Sequence, residues 1–253
     1  MLFFMLERFP NINKVIINDI NPGLINCYRQ IKRNHVSLIM TLIDIENKFY
    51  QCETEEERRE YYNCLRDRYN SIPIKSRNTI RAAALFIFFN KTCFNGLYRE
   101  NKQGDFNVPY GKYRNPRICN QDAIVLANFE LRNVQIELGD YRKLRRMVDW
   151  SENNFFYFDP PYRPLLGSNN FKQYTKDAFG DRQQEELKEF CDEINDNCGH
   201  FLLSNSYSEI EPGVGYFDQL YEGYKIQHIY APRTINAFVP GVQTVKEVLI
   251  KNY

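Results

Sequence analysis

The stretch Asn154-Phe155-Phe156-Tyr157-Phe158-Asp159-Pro160-Pro161-Tyr162 decides the fold that this sequence predicts. Its run of aromatic residues favours a buried β-strand at 155–158. Two prolines follow and end the strand, because proline cannot extend a sheet. Ligands of open α/β sheets bind where strands end, so we expect Asp159 and Tyr162 to lie at a ligand-binding edge.

An acid and an aromatic ring at a strand end suit one chemical problem, the methylation of an exocyclic amine on a nucleobase. Such an amine is a weak nucleophile because its lone pair is delocalised into the ring. The Asp159 carboxylate and the Pro160 carbonyl would accept its two N–H bonds, and Tyr162 would stack on a base turned out of the duplex. The alternative is a strand that ends in a Pro-Pro turn with an incidental Asp and Tyr, since a tetrapeptide alone is weak evidence.

Composition sets limits on the class of protein. The chain has 253 residues, of which 43% are hydrophobic, and this fits one globular domain with an appended subdomain. Its net charge of +1 neither favours nor excludes nucleic acid. Seven scattered cysteines and three histidines argue against a metal site and a disulfide framework. Reduced thiols, short apolar runs and the lack of a signal-peptide pattern predict a cytoplasmic protein without a membrane span.

Hydrophobic patterning predicts an α/β fold. Strands are predicted at 15–17, 134–138, 155–158 and 201–204, with a closing hairpin of 225–230 and 245–250. Helices are predicted at 1–8, 22–33, 53–68, 79–90, 121–128, 141–147 and 183–194, and residues 37–91 as a whole are predicted to be helical. This alternation indicates a mostly parallel sheet with helices on both faces. Residues 92–120 are predicted to form a long polar loop, which in a compact protein is usually functional or disordered.

Four patches follow one another along nearly the whole chain. They are Ile17-Asn18-Asp19-Ile20-Asn21 with Leu24 and Tyr28; Phe94-Asn95-Gly96-Leu97-Tyr98-Arg99 with the stretch from Gly104 to Gly111; the tetrapeptide at 159–162 with Pro164, Leu165, Phe171 and Tyr174; and Leu203-Ser204-Asn205. In this order they resemble the DNA adenine-N6 methyltransferases of the Dam type.

The resemblance implies a Rossmann-like methyltransferase sheet with an inserted helical DNA-recognition subdomain. The sheet would be formed by residues 1–33 and 131–253, and the subdomain by residues 34–130. The implied reaction is transfer of a methyl group from S-adenosylmethionine (AdoMet) to N6 of adenine in double-stranded DNA, with GATC as the expected recognition sequence. Its catalytic residues would be Asp159, Pro160, Pro161 and Tyr162.

Two strand ends are the predicted cofactor site. A carboxylate at Asp19 suits the two hydroxyls of a ribose, although it would equally suit a cap for the helix that begins near Pro22. The resemblance favours AdoMet binding by Asp19, and it places Asp140, Tyr141 and Asp159 at the same cofactor. Asp140 would hydrogen-bond the adenine amine of the cofactor, and the alternative for this residue is again a helix cap.

The second patch is the predicted DNA-reading surface. The resemblance implies that Arg99 bridges a guanine edge and that Asn95 reads an adenine edge. Leu97 would enter a base step beside Phe94, where the family often has Tyr, and Pro109 would belong to the same surface. The alternative is a glycine-turned surface loop with a solvated Arg.

Basic residues are dense between 75 and 117, where they suit either phosphate contacts or a solvated face. They are Lys75, Arg77, Arg81, Lys91, Lys102, Lys112, Arg114 and Arg117.

The family normally carries a glycine-rich turn before its acidic strand, and this sequence has no glycine before Gly23. We therefore expect this chain to bind AdoMet weakly. One alternative is a non-catalytic DNA-binding fragment of a phage or restriction–modification system. Another is an amino-methylase of cytosine N4, RNA or protein glutamine, although these more often carry Ser or Asn at the position of Asp159. A monomer is expected, with double-stranded DNA and, in a restriction–modification system, a cognate endonuclease as partners.

Overall fold

The structure is a computed structural model that describes residues 1–164, 179–232 and 244–253. Leu165, Phe171 and Tyr174, which belong to the third patch, lie outside the described residues. The chain forms two compact units, Met1–Lys143 and Leu144–Tyr253.

The first unit is mostly helical and contains one pair of strands. Its helices are α1 Leu2–Arg8, α2 Pro22–Gln51, α3 Glu55–Asn70, α4 Ile80–Thr92 and α5 Gln121–Glu130. Its strands are β1 Val15–Asp19 and β2 Val134–Leu138. Helix α2 continues through the predicted boundary at residue 33, but Asn34 leaves the helical conformation with φ −137° and kinks the helix there.

Side chains at helical spacing build the core of this unit. Leu38, Leu42, Ile45 and Phe49 line one face of α2 and are fully buried. They face aromatic residues of α3 and α4, and the Phe49 and Phe88 rings meet edge to face with centroids 6.1 Å apart. Burial of each such side chain contributes about 1.5–3 kcal/mol to the stability of the fold.

Capping residues set the helix starts. Thr54 accepts a hydrogen bond from Glu57 N at 3.1 Å, and the Glu57 carboxylate accepts from Thr54 N at 3.2 Å. This reciprocal pair satisfies two N–H groups that the first turn of α3 leaves without helical partners. Thr79 caps α4 through a 3.2 Å hydrogen bond from Ala82 N.

Strands β1 and β2 are parallel, with Asp19 opposite Leu138. The ladder continues one residue further, because Gly139 N donates to Asp19 O at 2.9 Å. The Asn18 amide nitrogen also donates to Gly139 O at 2.8 Å. The carboxyl ends of the two strands therefore lie level, and Asp19 and Asp140 follow the same edge.

The second unit contains a mixed four-stranded sheet. Its strands are β3 Phe155–Phe158, β4 His200–Ser206, β7 Lys225–Pro232 and β8 Thr244–Lys251, in the order β3-β4-β8-β7. A small antiparallel pair, β5 Glu209–Glu211 and β6 Val214–Gly215, and the helices α6 Asp181–Asp196 and α7 Tyr216–Leu220 complete the unit. Among the described strands of this sheet, only β3 and β4 pair in parallel, so the prediction of a mostly parallel sheet is wrong for it. The predicted antiparallel pairing of the last two strands is confirmed.

Strand β3 is an edge strand in the described sheet and is buried on one face only. Phe156 and Phe158 are buried and stack with centroids 6.0 Å apart, whereas Phe155 and Tyr157 are 41% and 37% exposed. The aromatic run correctly predicted a strand, and the predicted burial holds for the face of Phe156 and Phe158 only. In the described parts of the chain, no helix combines the length and the apolar character that a bilayer crossing requires.

Candidate active site and nucleic-acid interface

Asp159 directly follows β3, and a neighbouring strand orients its carboxylate. Ser204 of β4 donates a hydrogen bond to Asp159 Oδ1 at 3.0 Å. The Ser204 side chain is buried, and its oxygen lies 3.2 Å from the Tyr157 hydroxyl. Asp159 itself is exposed. The Ser204 hydrogen bond thus fixes one carboxylate oxygen of Asp159, while the side chain remains accessible to a ligand.

Hydrogen bonds with α6 and β4 hold the chain at and directly after the two prolines. Gln184 of α6 donates to Pro161 O at 3.1 Å. Arg163 N donates to Asn205 Oδ1 at 3.0 Å, and the Ser206 hydroxyl donates to Arg163 O. These bonds fasten the chain after the prolines to the end of β4. Residues 159–163 are called the corner below, and these bonds make the corner more rigid than its two prolines alone would.

Arg163 is a residue of this corner that sequence reasoning missed. Its side chain is only 4% exposed. The guanidinium makes two hydrogen bonds to the Asp181 carboxylate, at 2.8 and 3.1 Å, and lies 4.2 Å from the centre of the Tyr216 ring. A buried cation needs such a partner because desolvation is otherwise costly. The available signal was a lone Arg directly after the tetrapeptide, but its partner lies 18 residues away along the chain.

The Tyr162 ring is 37% exposed beside Asp159. Burial of the hydroxyl raises the pKa of Tyr162, and the negative charges of Asp159 and Glu247 raise it further. The phenol therefore stays protonated and neutral at physiological pH. A neutral, partly exposed ring is suited to stacking against another flat ring.

At the end of β1, Asp19 is half-buried and accepts a hydrogen bond from Asn21 N at 2.7 Å. Asn21 is the cap of α2, because its side-chain oxygen accepts from Gly23 N at 2.9 Å and from Leu24 N at 3.1 Å. The alternative in which Asp19 caps this helix is therefore wrong. Asp19 instead fixes the turn that leads into the helix.

At the end of β2, the Asp140 carboxylate is engaged by Arg142. The Arg142 side chain donates to both oxygens at 2.8 Å, and its backbone N donates to Oδ1 at 2.8 Å. These hydrogen bonds lower the pKa of Asp140 below its usual value. The bond to the backbone matches the capping alternative for Asp140. Tyr141, the next residue, is half-buried.

The predicted loop at 92–120 is in part a ribbon of two chain segments. Cys93 pairs with Tyr110 and Glu100 with Phe106 as antiparallel bridges, and Phe94 N donates to Pro109 O at 2.8 Å. Residues 92–111 are called the ribbon below. One side of it is core: Phe106, Val108 and Tyr110 alternate along the chain and are all buried. The expectation of a polar loop is therefore wrong for this side.

The outer side of the ribbon carries the residues predicted to contact DNA. Phe94 and Leu97 are 42% and 41% exposed, and Pro109 is exposed as well. Between them Asn95 has φ +55°, which is the left-handed conformation that Asn tolerates better than most residues. The ribbon thus presents two apolar side chains side by side at a sharp turn.

Arg99 lies on the same ribbon and is held by a neighbour. Its Nε donates to Asn107 Oδ1 at 2.8 Å, and one terminal nitrogen donates to Asn107 O at 3.3 Å. Arg99 is exposed, so the remaining donors of its planar fork face solvent. Sequence reasoning missed Asn107, although the pairing of the two segments brings it opposite Arg99.

The basic residues between 75 and 117 differ in burial and in their partners, so they do not all suit phosphate contacts. Arg77 is 4% exposed, and it donates to Ile72 O and Gly104 O at 3.0 Å each. A phosphate contact by Arg77 is therefore excluded. Lys112 and Arg117 are exposed but paired, 2.9 Å from Glu55 and 3.3 Å from Asp122 respectively. The other exposed members are Lys75, Lys91, Lys102 and Arg114.

A mixed α/β architecture with an acidic residue at a strand end, followed by two prolines, fits the class of α/β methyltransferases. The chain belongs to the family described as D12 class N6 adenine-specific DNA methyltransferase, which matches residues 2–235. It is therefore a DNA methyltransferase specific for the N6 position of adenine.

Relatives along the full chain carry names of the same kind. The chain is 39% identical to the type II methyltransferase M.MjaIII of Methanocaldococcus jannaschii, over all of this chain and 84% of that protein. It is 34% identical to the type II methyltransferase M1.LlaDCHI of Lactococcus lactis subsp. cremoris, over all of this chain and 82% of that protein. A DNA adenine methylase of Serratia marcescens is 28% identical over 97% of this chain and 87% of its own length.

Proposed function

We propose that this chain methylates adenine in double-stranded DNA with AdoMet as the methyl donor, and that Asp159, Pro160, Pro161 and Tyr162 receive the target base. The observation that supports this assignment best is the Ser204 hydrogen bond, which orients an exposed carboxylate beside an exposed aromatic ring. Family membership supplies the class of reaction, and the corner supplies groups that suit it.

The residues of the corner act on the target amine. Asp159 and the Pro160 carbonyl accept its two N–H bonds, and this draws electron density onto N6 and favours a pyramidal, nucleophilic nitrogen. Asp159 is exposed, so the proton that N6 loses on methylation leaves through the carboxylate to solvent. Tyr162 stacks on the everted base and holds N6 in place. Orientation and electrostatics are the main contributions of the protein.

The cofactor residues fit AdoMet unequally. The half-buried Asp19 carboxylate at a strand end suits a ribose, whose two hydroxyls are donors. The Asp140 carboxylate is half exposed but already accepts three hydrogen bonds from Arg142, so the adenine amine of the cofactor would share it with Arg142. Tyr141 directly follows Asp140 in the chain, and Asp159 is the fourth residue that we propose to bind the cofactor. When bound, AdoMet supplies a methyl group activated by a sulfonium leaving group.

The ribbon is the proposed reader of the DNA sequence. Arg99 is pre-oriented by Asn107 and offers two donors to a guanine edge, whereas Asn95 reads adenine. Phe94 and Leu97 are exposed apolar side chains of the kind that enter base steps, and Pro109 adjoins them. GATC is the proposed recognition sequence.

The proposal also divides the chain into a recognition subdomain and a catalytic domain. Residues 34–130 would form the helical recognition subdomain, and residues 1–33 and 131–253 a Rossmann-like catalytic domain. The α2 kink at Asn34 supports this boundary, although the hydrophobic core of α2, α3, α4 and the ribbon also includes Cys27, which precedes the kink. The protein would act as a monomer. The type II names of two relatives support a restriction–modification setting with a cognate endonuclease.

Product analysis tests the proposal. Unmethylated DNA is incubated with the protein and AdoMet, digested to nucleosides and examined by mass spectrometry. N6-methyldeoxyadenosine is the expected product. N4-methyldeoxycytidine would contradict the target, and DNA binding without any methylated nucleoside would favour the alternative of a non-catalytic fragment.

A further inference from the structure

Three basic side chains of α2 share one side of the helix. Arg29, Lys32 and Arg33 have the spacing of three and four residues that makes side chains neighbours on a helix surface. Arg29 and Lys32 are half-buried, and Arg33 is exposed. All three precede the kink at Asn34 and therefore belong to the first, regular part of α2.

These three side chains and residues 134–137 of β2 line a cavity of about 200 Å³. Arg33 and Gln135 are exposed, so the cavity is reached from solvent. Its volume is that of several water molecules at roughly 30 Å³ each, which is room for a small ion such as a phosphate group. It is smaller than the roughly 300–1,000 Å³ of pockets that take drug-sized ligands.

Hydrogen bonds to β2 hold two of the three cations at the wall of the cavity. Arg29 Nη2 donates to Ile136 O at 3.0 Å, and Lys32 Nζ donates to Val134 O at 2.8 Å. Both keep further N–H groups, because a guanidinium has five donors and an ammonium has three. Among the residues that the structure describes, none of the three cations forms an ion pair with a carboxylate.

The Glu137 carboxylate in the lining is engaged on both of its oxygens. Gln135 Nε2 donates to Oε1 at 2.9 Å, and Lys143 Nζ donates to Oε2 at 2.9 Å. Lys143 offsets the charge of Glu137, so the three cations of α2 give the cavity a net positive charge. A recess lined by one sign of charge attracts ions of the other sign, and this cavity therefore suits an anion.

The cavity lies at a short distance from the ribbon, within the first unit. A Cβ atom at Gly23, near the start of α2, would lie 2.6 Å from the Phe86 ring. The Phe86 ring packs on Tyr98 of the ribbon, with centroids 4.9 Å apart. Arg33 lies ten residues after Gly23. Ten residues correspond to about 15 Å along a helix, and this is about four or five nucleotides at roughly 3.4 Å per nucleotide of one DNA strand.

We propose that this cavity binds a backbone phosphate of the DNA that flanks the recognition sequence, with Arg29, Lys32 and Arg33 as its donors. Charge-assisted hydrogen bonds of this kind are strong, and the planar fork of Arg matches two phosphate oxygens at once. A phosphate contact carries no sequence information, but it fixes the register of the duplex on the protein. Inorganic phosphate has the same chemistry and is the other source of such an anion. This inference rests on the proposed function, in which the ribbon reads DNA.

Binding to two duplexes of different length tests the inference. Both carry the site that the wild-type protein methylates, mapped beforehand by sequencing. The long duplex extends about ten base pairs beyond this site on each side and the short one about two, so only the long one covers the estimated distance. Fluorescence anisotropy measures affinity at several salt concentrations. The wild-type protein should bind the long duplex at least about threefold more tightly, with a salt slope steeper by about one, as one phosphate contact predicts.

Arg33→Glu reverses the charge where the cavity opens to solvent, at an exposed position. In this variant the preference for the long duplex and the additional salt slope should be lost, whereas affinity for the short duplex should stay within about twofold of wild type. Arg68→Glu is the matched control, since it makes the same change of charge at an exposed position of α3. It should keep the preference for the long duplex, because exposed charges beyond about 10 Å are largely screened by salt.

Equal affinity of the wild-type protein for the two duplexes would overturn the inference, and so would equal losses in Arg33→Glu and Arg68→Glu. Calorimetry with inorganic phosphate separates the two sources of the anion. Phosphate binding that Arg33→Glu abolishes, without any effect of duplex length, would assign the cavity to a free anion and overturn the DNA contact. These results would leave the proposed function intact as long as the wild-type protein methylates the site. A wild-type protein that methylates neither duplex would contradict the proposed function and, with it, the inference.

Discussion

At the scale of single residues, the corner depends on side chains that do not touch the substrate. Ser204 orients the Asp159 carboxylate, and Arg163 holds the following chain against Asp181. Such residues do little chemistry themselves. They reduce the number of arrangements that the catalytic groups sample, and this lowers the entropic part of the barrier.

Ser204→Ala should slow methyl transfer by about 10- to 100-fold, because a hydrogen bond to a charged group contributes about 1.5–3 kcal/mol. The rate is measured in single turnover with saturating DNA and AdoMet, and DNA affinity should not change. Ser71→Ala is the control, since the Ser71 hydroxyl donates only to Arg68 O on an exposed helix end. A wild-type rate in Ser204→Ala would show that Asp159 does not need this orientation.

At the scale of elements, the ribbon combines a packed inner side with an exposed outer side. Its alternation of buried Phe106, Val108 and Tyr110 with exposed Asn107 and Pro109 has the period of two that is typical of strands. The inner side anchors the ribbon on the helical core. The outer side can therefore present base-reading groups from a rigid support.

Arg99→Ala should relax sequence preference more than it weakens binding. Loss of a paired guanine contact removes about 1–3 kcal/mol of discrimination at one base. Lys102→Ala, on the exposed tip of the ribbon, should instead weaken binding to all sequences alike and reduce its salt dependence. Affinities for a set of duplexes with single base changes separate the two effects. Equal losses on every duplex in Arg99→Ala would contradict base readout.

Strand β2 shows how a strand edge is protected in this fold. Three of its backbone carbonyls, of Val134, Ile136 and Leu138, accept hydrogen bonds from Lys32, Arg29 and Lys143 respectively. These three cations occupy alternate carbonyls along the edge of β2 that does not face β1. An edge covered by charge does not recruit another strand.

Lys32→Met keeps the apolar stem but leaves Val134 O without its 2.8 Å donor. The free energy of unfolding should fall by about 1–3 kcal/mol, the cost of an unsatisfied buried acceptor. Urea denaturation measures it. Lys48→Met on the exposed part of the same helix should cost no more than about 0.5 kcal/mol, since its pair with Asp44 is solvated. Equal losses in the two variants would refute the edge-protection role.

At the scale of the whole molecule, the sequence predicted the order of helices and strands well because apolar periodicity and proline positions are local signals. It predicted that Asp159 follows a strand for the same reason. It did not predict the Arg163–Asp181 pair or the inward side of the ribbon, because both depend on segments that meet only in the folded chain. The mixed sheet of the second unit was not predicted for the same reason, since strand direction depends on pairing across long connections.

Cysteine reactivity reports on both compact units at once. Burial raises the pKa of the Cys27 thiol, that of Cys93 to about 11 and that of Cys191 to about 12. At pH 8 these thiols carry almost no thiolate, whereas Cys64 and Cys198 are exposed. Alkylation of the native protein should therefore label Cys64 and Cys198 first, and the three buried thiols only after denaturation. Peptide mass spectrometry gives the order, and early labelling of Cys27 or Cys191 would contradict the described packing.

The central claim is that the Asp159 carboxylate activates the target amine. The most direct measurement compares single-turnover methyl transfer and DNA affinity in Asp159→Ala, with Glu152→Ala, an exposed acid before the same strand, as the control. We predict that Asp159→Ala forms no detectable N6-methyldeoxyadenosine while its DNA affinity stays within about threefold of wild type, because a catalytic contact and a binding contact are separable. Methyl transfer at the wild-type rate in Asp159→Ala would contradict the claim.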